Sequence, residues 1–320
     1  MTLICYIGGN IMNRTIRNLT CALIIASLVF FAGCVENERT TPEQTEVSTP
    51  SPTPVPTLTG HEQAGEPDTS YLGLAEVFKG KTGLNVSTTN IDVNIEGVSL
   101  SGFLVQPVTP GKYPGIVMIH EWWGLNDQVK SMADITAREG YVVLAIDLFK
   151  GNVATTTEGA QANIRNNPNN ETIPKMQAAV KYLRNMTNVE KSKIASLGWC
   201  YGGGQSFHLG VNEDIQATVI YYGQVSTDKA ILMKMEQPVL GLFGAEDTSI
   251  PVTDVREFER ILKEQGTSVN ISIYEGAGHG FSNPTNTQAF RKEQAVDAWN
   301  KTLEFLELNL KRNEKNENSI

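Results

Sequence analysis

Cys200 sits in Gly198-Trp-Cys-Tyr-Gly202, with a glycine two residues to either side. That spacing suits a nucleophile on a sharp strand-to-helix turn, because small neighbours let strand and helix approach while the side chain projects from the bend. The attacking species is the thiolate, so a base must stand beside it and an acid must orient that base. Glu275-Gly-Ala-Gly-His279-Gly-Phe281 offers an imidazole in a loop whose glycines let it swing over a sheet end. Of the other histidines, His61 lies in a polar stretch, His208 follows Cys200 in a helical segment, and His120 belongs to a separate motif. Phe243-Gly-Ala-Glu-Asp247 supplies the acid, and Asp247, which opens a turn toward Pro251, is preferred over Glu246.

A third group is His120-Glu121-Trp-Trp-Gly-Leu-Asn126. An oxyanion forming on an attacked carbonyl needs preorganised donors, here expected to be the backbone N–H groups of Trp122 and of Tyr201, the residue after the nucleophile. Trp122, Trp123, Tyr201 and Phe281 are expected either to form an aromatic rim around substrate or to pack in the core. Glu121 is harder to place, since a carboxylate near a thiolate opposes thiolate formation. Its plain alternative is an exposed loop acid.

These residues need a frame. Asn90 to Glu96 and Val98 to Gln106 alternate as an antiparallel pair turning near Gly97. Six near-continuous apolar runs follow: Tyr113 to His120, Tyr141 to Asp147, Lys193 to Gly198, Ala217 to Tyr222, Pro238 to Phe243 and Val269 to Tyr274. Runs of that kind suit strands covered on both faces. Helices are expected at Asp127 to Glu139, Pro174 to Arg184, Gly203 to Gly210, Asp228 to Met235, Val252 to Gln265 and Thr285 to Leu310. Gly151 to Asn170 reads as a loop or short helix. Alternating strands and helices imply an α/β, mostly parallel, doubly wound sheet with an antiparallel N-terminal strand pair. The candidate nucleophile, acid and histidine come in the chain order of the α/β-hydrolase fold.

The N-terminal part differs in composition. Arg14 and Arg17 precede the apolar run Leu19 to Gly33, and Phe31-Ala-Gly-Cys34 resembles a lipobox, so residues 1–33 are expected to be a signal peptide ending at a lipidated Cys34. Residues 34–70 are rich in Pro, Thr and Ser and are expected to be a disordered tether. The hydrolase-like domain would run over 71–312, with a polar tail at 313–320. An exported, membrane-anchored lipoprotein at the cell surface is the expected localisation. Cys5 and Cys21 fall in the leader, which leaves Cys200 as the thiol of the folded part. A formal net charge of −9 argues against nucleic acid as a partner. The expected partners are a small-molecule ester or lactone and, through the lipid anchor, the membrane; no cofactor or metal is expected.

Together the His120-Glu121-Trp-Trp-Gly group, Gly-Trp-Cys200-Tyr-Gly-Gly, the Asp247 turn and Gly-His279-Gly-Phe resemble the dienelactone hydrolase family of α/β hydrolases, over about Val93 to Leu310. The resemblance implies a Cys200, Asp247, His279 triad, a thioester intermediate and a Glu121 that pairs with the thiol until substrate rearranges them. It also exposes a departure: dienelactone-cleaving members carry an arginine four residues past the histidine to hold a substrate carboxylate, where this chain has Asn283. Asn283 is thus expected at the substrate, with Arg165 a possible replacement cation. Two other readings compete with an esterase: a thioesterase or peptidase, and a non-catalytic surface binding protein on a hydrolase scaffold.

Overall fold

The computed structural model describes residues 72–78 and 80–312, all within one unit, Gly65–Ile320. The signal peptide, Cys34, the tether and the polar tail lie outside the described residues. Eight strands form one sheet: β1 (Val86–Ile95), β2 (Val98–Pro107), β3 (Tyr113–Ile119), β4 (Val142–Ile146), β5 (Val189–Trp199), β6 (Ala217–Tyr221), β7 (Val239–Gly244) and β8 (Val269–Tyr274). Their order across the sheet is β1-β2-β4-β3-β5-β6-β7-β8. β1 and β2 pair antiparallel, as do β2 and β4, and every pairing from β4 to β8 is parallel.

The β1–β2 hairpin turns on Glu96 and Gly97, both at positive φ (50° and 90°). Two such residues match the right-handed twist of the flanking strands, and glycine takes the second without a Cβ penalty. Asn94 Oδ1 accepts from the Gly97 N–H at 2.8 Å and closes the turn. In the parallel part, all residues of β4, β6 and β7 are buried, which accounts for their continuous apolar runs.

Side chains alternate between the two faces. Ile116 and Met118 of β3 join one core with Met132 of α2 (Asp127–Arg138) and with Trp299 and Leu303 of α8 (Lys292–Leu306). Val117 and Ile119 join another with Met176, Val180 and Leu183 of α4 (Asn169–Asn185). A third cluster packs Phe207 of α5 (Tyr201–Asn212) and Phe258 and Leu262 of α7 (Val252–Glu264) against Ile220, Val239 and Phe243. With the short α1 (Leu72–Val77) and α6 (Lys229–Leu232), helices cover both faces, as expected of a doubly wound sheet.

Gly151 to Asn170 takes the short-helix alternative: it contains α3 (Thr157–Asn166), whose N-cap Thr156 accepts from the Gly159 N–H. Other helical expectations change. α4 begins five residues before Pro174, which sits inside the helix. Thr285 does not start a helix: Asn283 and Asn286 accept from the N–H groups of Thr285 and Ala289, and these side-chain turns delay α8 to Lys292.

Trp299 is 1% exposed, meets Phe78 edge to face at 5.9 Å, and anchors α8 to the sheet. Trp299→Ala is expected to cost about 3–5 kcal/mol, read as a lowered midpoint in urea unfolding.

Candidate active site

Cys200 is the hinge between β5 and α5, with φ 55° and ψ −118°. A non-glycine residue there is strained by roughly 1–3 kcal/mol and persists where its surroundings over-determine it. Two glycines do so. A Cβ on Gly198 would overlap the carbonyl oxygen of Gly202, and one on Gly202 would overlap that of Ile119 at the end of β3. With neither Cβ present, α5 starts hard against the sheet, and the Cys200 N–H donates to the Tyr221 carbonyl at 3.0 Å. Tyr201 is then the first residue of α5, where a backbone N–H has no intrahelical acceptor.

Asp247 and His279 follow neighbouring strands, β7 and β8. Backbone bonds from Ala245 N–H to Tyr274 O and from Glu246 N–H to Ala277 O, both 2.9 Å, hold the two loops side by side. Asp247 is buried, and its Oδ1 accepts from the N–H groups of Ser249 (2.8 Å) and Ile250 (3.1 Å). That leaves Oδ2 for His279 Nδ1 at 2.7 Å. The other ring nitrogen, Nε2, lies 3.0 Å from Cys200 Sγ. Glu246, the competing acid, is exposed. Burial pulls the His279 imidazole toward neutrality, but its bonds to Asp247 and Cys200 outweigh this and raise its pKa to about 10. The imidazole therefore keeps its proton at neutral pH.

The group after β3 divides its work. His120 is fully buried, with Nδ1 donating to the Glu121 carbonyl at 2.6 Å and Nε2 accepting from the Leu148 N–H at 3.1 Å. Burial lowers its pKa, so it stays neutral and ties this loop to the chain after β4. Gly124, at φ 100°, lets the next turn pass against the Asn152 carbonyl, where a Cβ would collide. Trp122 and Trp123 are half-buried and meet edge to face at 5.0 Å. The half-buried Tyr201 ring lies beside Phe149 and His120.

Several expectations are corrected by this geometry. Glu121 is not an exposed loop acid; it is 5% exposed, and burial raises its pKa. Its Oε2 accepts from Asn283 Nδ2 at 2.6 Å, while the partner of the thiol is His279. Asn283, expected at the substrate, is buried, and its Oδ1 accepts from both the N–H (2.9 Å) and Oγ1 (2.7 Å) of Thr285. Phe281 is fully buried against Tyr222 and Tyr274, so it belongs to the core and not to an aromatic rim. Arg165 is exposed on the last turn of α3.

Tyr222 was not singled out from the sequence. It is fully buried, at φ 35°, with its ring 5.2 Å from that of His279 and its hydroxyl 3.2 Å from Ser282 Oγ. Burial, followed by the nearby Glu121, holds that phenol well above its ordinary pKa. Its position just past β6, next to the strand carrying Cys200, was the available signal.

A parallel sheet with helices on both faces and a cysteine at a strained strand-to-helix elbow defines an α/β hydrolase. Residues 100–310 match the dienelactone hydrolase family, and the chain belongs to that family. It is a carboxylic ester hydrolase acting on esters or lactones. A Synechocystis sp. protein provisionally named a carboxymethylenebutenolidase is 26% identical over 246 residues, covering 71% of this chain and 99% of that one. One of the same provisional name from Saccharolobus solfataricus is 29% identical over 247 residues, covering 66% and 95%. Among solved structures, a dienelactone hydrolase-like promiscuous phosphotriesterase from metagenomic libraries superposes with a TM-score of 0.65 at 19% identity, over 70% of this chain and 98% of that one. At that identity the likeness speaks to the fold.

Because His279 keeps its proton to about pH 10, its ring resonances are expected to hold still in an NMR titration from pH 7 to pH 9. In Asp247→Asn, which removes the carboxylate bonded to Nδ1, the titration should move down toward the ordinary histidine value of ~6.5.

Proposed function

We propose that the chain hydrolyses small uncharged esters or lactones through a Cys200, His279, Asp247 triad and a thioester intermediate. The observation that carries this reading is the single imidazole spanning Asp247 Oδ2 at 2.7 Å and Cys200 Sγ at 3.0 Å. The thiolate adds to the carbonyl carbon, and the π pair moves onto oxygen, where the N–H groups of Trp122 and Tyr201 receive it. As the tetrahedral species collapses, the C–O bond breaks and the His279 imidazolium gives its proton to the leaving oxygen. In a lactone that alcohol stays tethered to the acyl group. His279, now neutral, takes a proton from water, the hydroxide adds to the thioester, and departure of the thiolate restores the ion pair. Asp247 holds the Nδ1–H tautomer and stabilises the imidazolium at each turnover. Loss of one oxyanion donor costs on the order of 2.7–4 kcal/mol in comparable sites.

Two features favour an uncharged substrate. Asn283 stands where an arginine would hold a carboxylate, and its amide is committed to Glu121 and Thr285. The whole chain is also acidic, at −9. The carboxymethylenebutenolidase names of both relatives support lactone cleavage.

We also propose that the protein is exported and held at the membrane by a lipid on Cys34, with residues 34–70 as a spacer. The support is the charged, apolar and small-residue order of the leader and its Phe31-Ala-Gly-Cys34 ending.

Cys200→Ala and His279→Ala should each abolish turnover of an activated neutral ester while leaving thermal unfolding near wild type. Asp247→Asn should lower kcat by on the order of 10³–10⁴-fold; a variant with full activity removes its residue from the triad. Labelled palmitate should enter the wild-type protein and not Cys34→Ala, and equal labelling of the two would overturn the anchor.

A further inference from the structure

We propose that His208 is a positioning residue: acting through Asn169, Gln205 and Thr172, its neutral ring sets the direction of a hydrogen-bond chain that ends beside Tyr201 and holds the first turn of α5 where it serves the oxyanion. The inference rests on the proposed role of the Tyr201 N–H as an oxyanion donor. The links are short and run one way. Asn169 Nδ2 donates to His208 Nε2 at 3.0 Å, Gln205 Nε2 donates to Asn169 Oδ1 at 2.8 Å, and Thr172 Oγ1 donates to Gln205 Oε1 at 3.1 Å. Gln205 is 4% exposed and Thr172 is fully buried, so water does not compete at that end of the chain. Thr172 is the polar side chain that acts on the Tyr201 phenol, and with its proton committed to Gln205 it has only lone pairs left for that phenol.

An amide has one donor end and one acceptor end, so the direction of the first link fixes that of the rest. A neutral His208 with its proton on Nδ1 accepts at Nε2, and Asn169 and Gln205 each then turn nitrogen toward His208 and oxygen toward Tyr201. A protonated His208 carries N–H on both ring nitrogens and would meet the Asn169 amide donor to donor. Relief requires both amides to turn over or the link to part. In the first case Gln205 donates to Thr172, whose proton is then free to swing toward Tyr201; in the second, α4 loses its hold on the first two turns of α5. Each reaches the residue whose N–H is the oxyanion donor. Charged groups do not set this balance. α5 contains no Asp, Glu, Lys or Arg, and those of α4 are engaged elsewhere: Glu171 with Lys150, Lys175 with the Leu148 carbonyl, Lys181 with Glu96 and Arg184 with Glu213. On its own helix His208 stands beside the Phe207 ring at 5.3 Å. Burial alone lowers the His208 pKa, so the chain is intact above the ordinary histidine value and is lost as pH falls through the lower native one.

The test compares kcat for an activated neutral ester at about pH 5 and about pH 7.5, on either side of the histidine range. His208→Gln offers Asn169 an oxygen that takes no proton in that range. It is expected to match wild type at the higher pH and to exceed it at the lower by about two- to tenfold, the worth of one hydrogen bond. A merely structural role would change both values in proportion. The chain itself is read without turnover, from the His208 ring resonances in an NMR titration, assigned by their loss in His208→Gln. Thr172→Val keeps the buried shape but cuts the far end, which frees Gln205 to turn over and should raise the His208 pKa toward ~6.5. Gln205→Leu should do the same if Thr172→Val does not fold. An unmoved His208 titration in the cut variants, or an equal acid-side loss in wild type and His208→Gln, overturns the inference. A wild-type protein that turns over no neutral ester overturns the proposed reaction, while the titration still decides the chain, which keeps the two failures apart.

Discussion

The approach of α5 to the sheet, with no Cβ at Gly198 or Gly202 to hold it back, sets the position of every other group at the site. A methyl group at either position would press on backbone carbonyls and not on side chains that could turn aside. The chain reverses within one residue because of that closeness, and the residue making the reversal, Cys200, is driven to φ 55°. From this follow the projection of Sγ above the strand ends, the lack of an intrahelical acceptor for the N–H of Tyr201 at the helix start, and the contact between β5, β6 and the loop after β3. A neighbouring helix one side-chain layer further out would give Cys200 an ordinary turn and take the sulfur out of reach of His279.

Around this backbone the electrostatics are arranged with few formal charges. Asp247 is buried, with one oxygen satisfied by two backbone N–H groups and the other by His279. His279 therefore has a fixed anion on one side and the sulfur on the other, and it holds its proton to about pH 10. Glu121 would be the disturbing element, a second buried carboxyl in the same region. Burial raises its pKa, and the Asn283 amide, the nearby His279 and Tyr222 offset this only in part. His120, neutral and doubly bonded, holds the loop that carries it.

The parts of this arrangement that follow from local pattern could be read from the sequence. The apolar runs of β3 to β8 and the glycines around Cys200 each report a constraint within a few residues, and the candidate nucleophile, acid and histidine fall at strand ends in a recognised order. What lay beyond reach depends on long-range pairing. Asn283 and Glu121 are 162 positions apart, and nothing in the residues around either says that they meet. Phe281 reads equally as rim or core until Tyr222 and Tyr274 are found against it. The late start of α8 was hidden for a local reason, because the asparagine side chains at 283 and 286 imitate backbone turns in a stretch whose composition also suits a helix.

Cys200 and Tyr222 both stand at positive φ, and Glu121 is an ionisable group held out of water, so part of the strain of this fold lies at the ends of β3, β5 and β6. Each such feature costs on the order of 1–3 kcal/mol, and a domain of this size is stable by only about 5–15 kcal/mol. Such costs are sustainable because the sheet beneath is covered on both faces, with β4, β6 and β7 buried throughout and β3 and β5 buried toward the site, so relaxing one elbow would mean separating helix from sheet along much of its length. The rigidity has a chemical use. In the proposed mechanism, a sulfur held 3.0 Å from His279 does not need substrate binding to bring the pair together, so binding energy remains for the carbonyl's change from planar to tetrahedral.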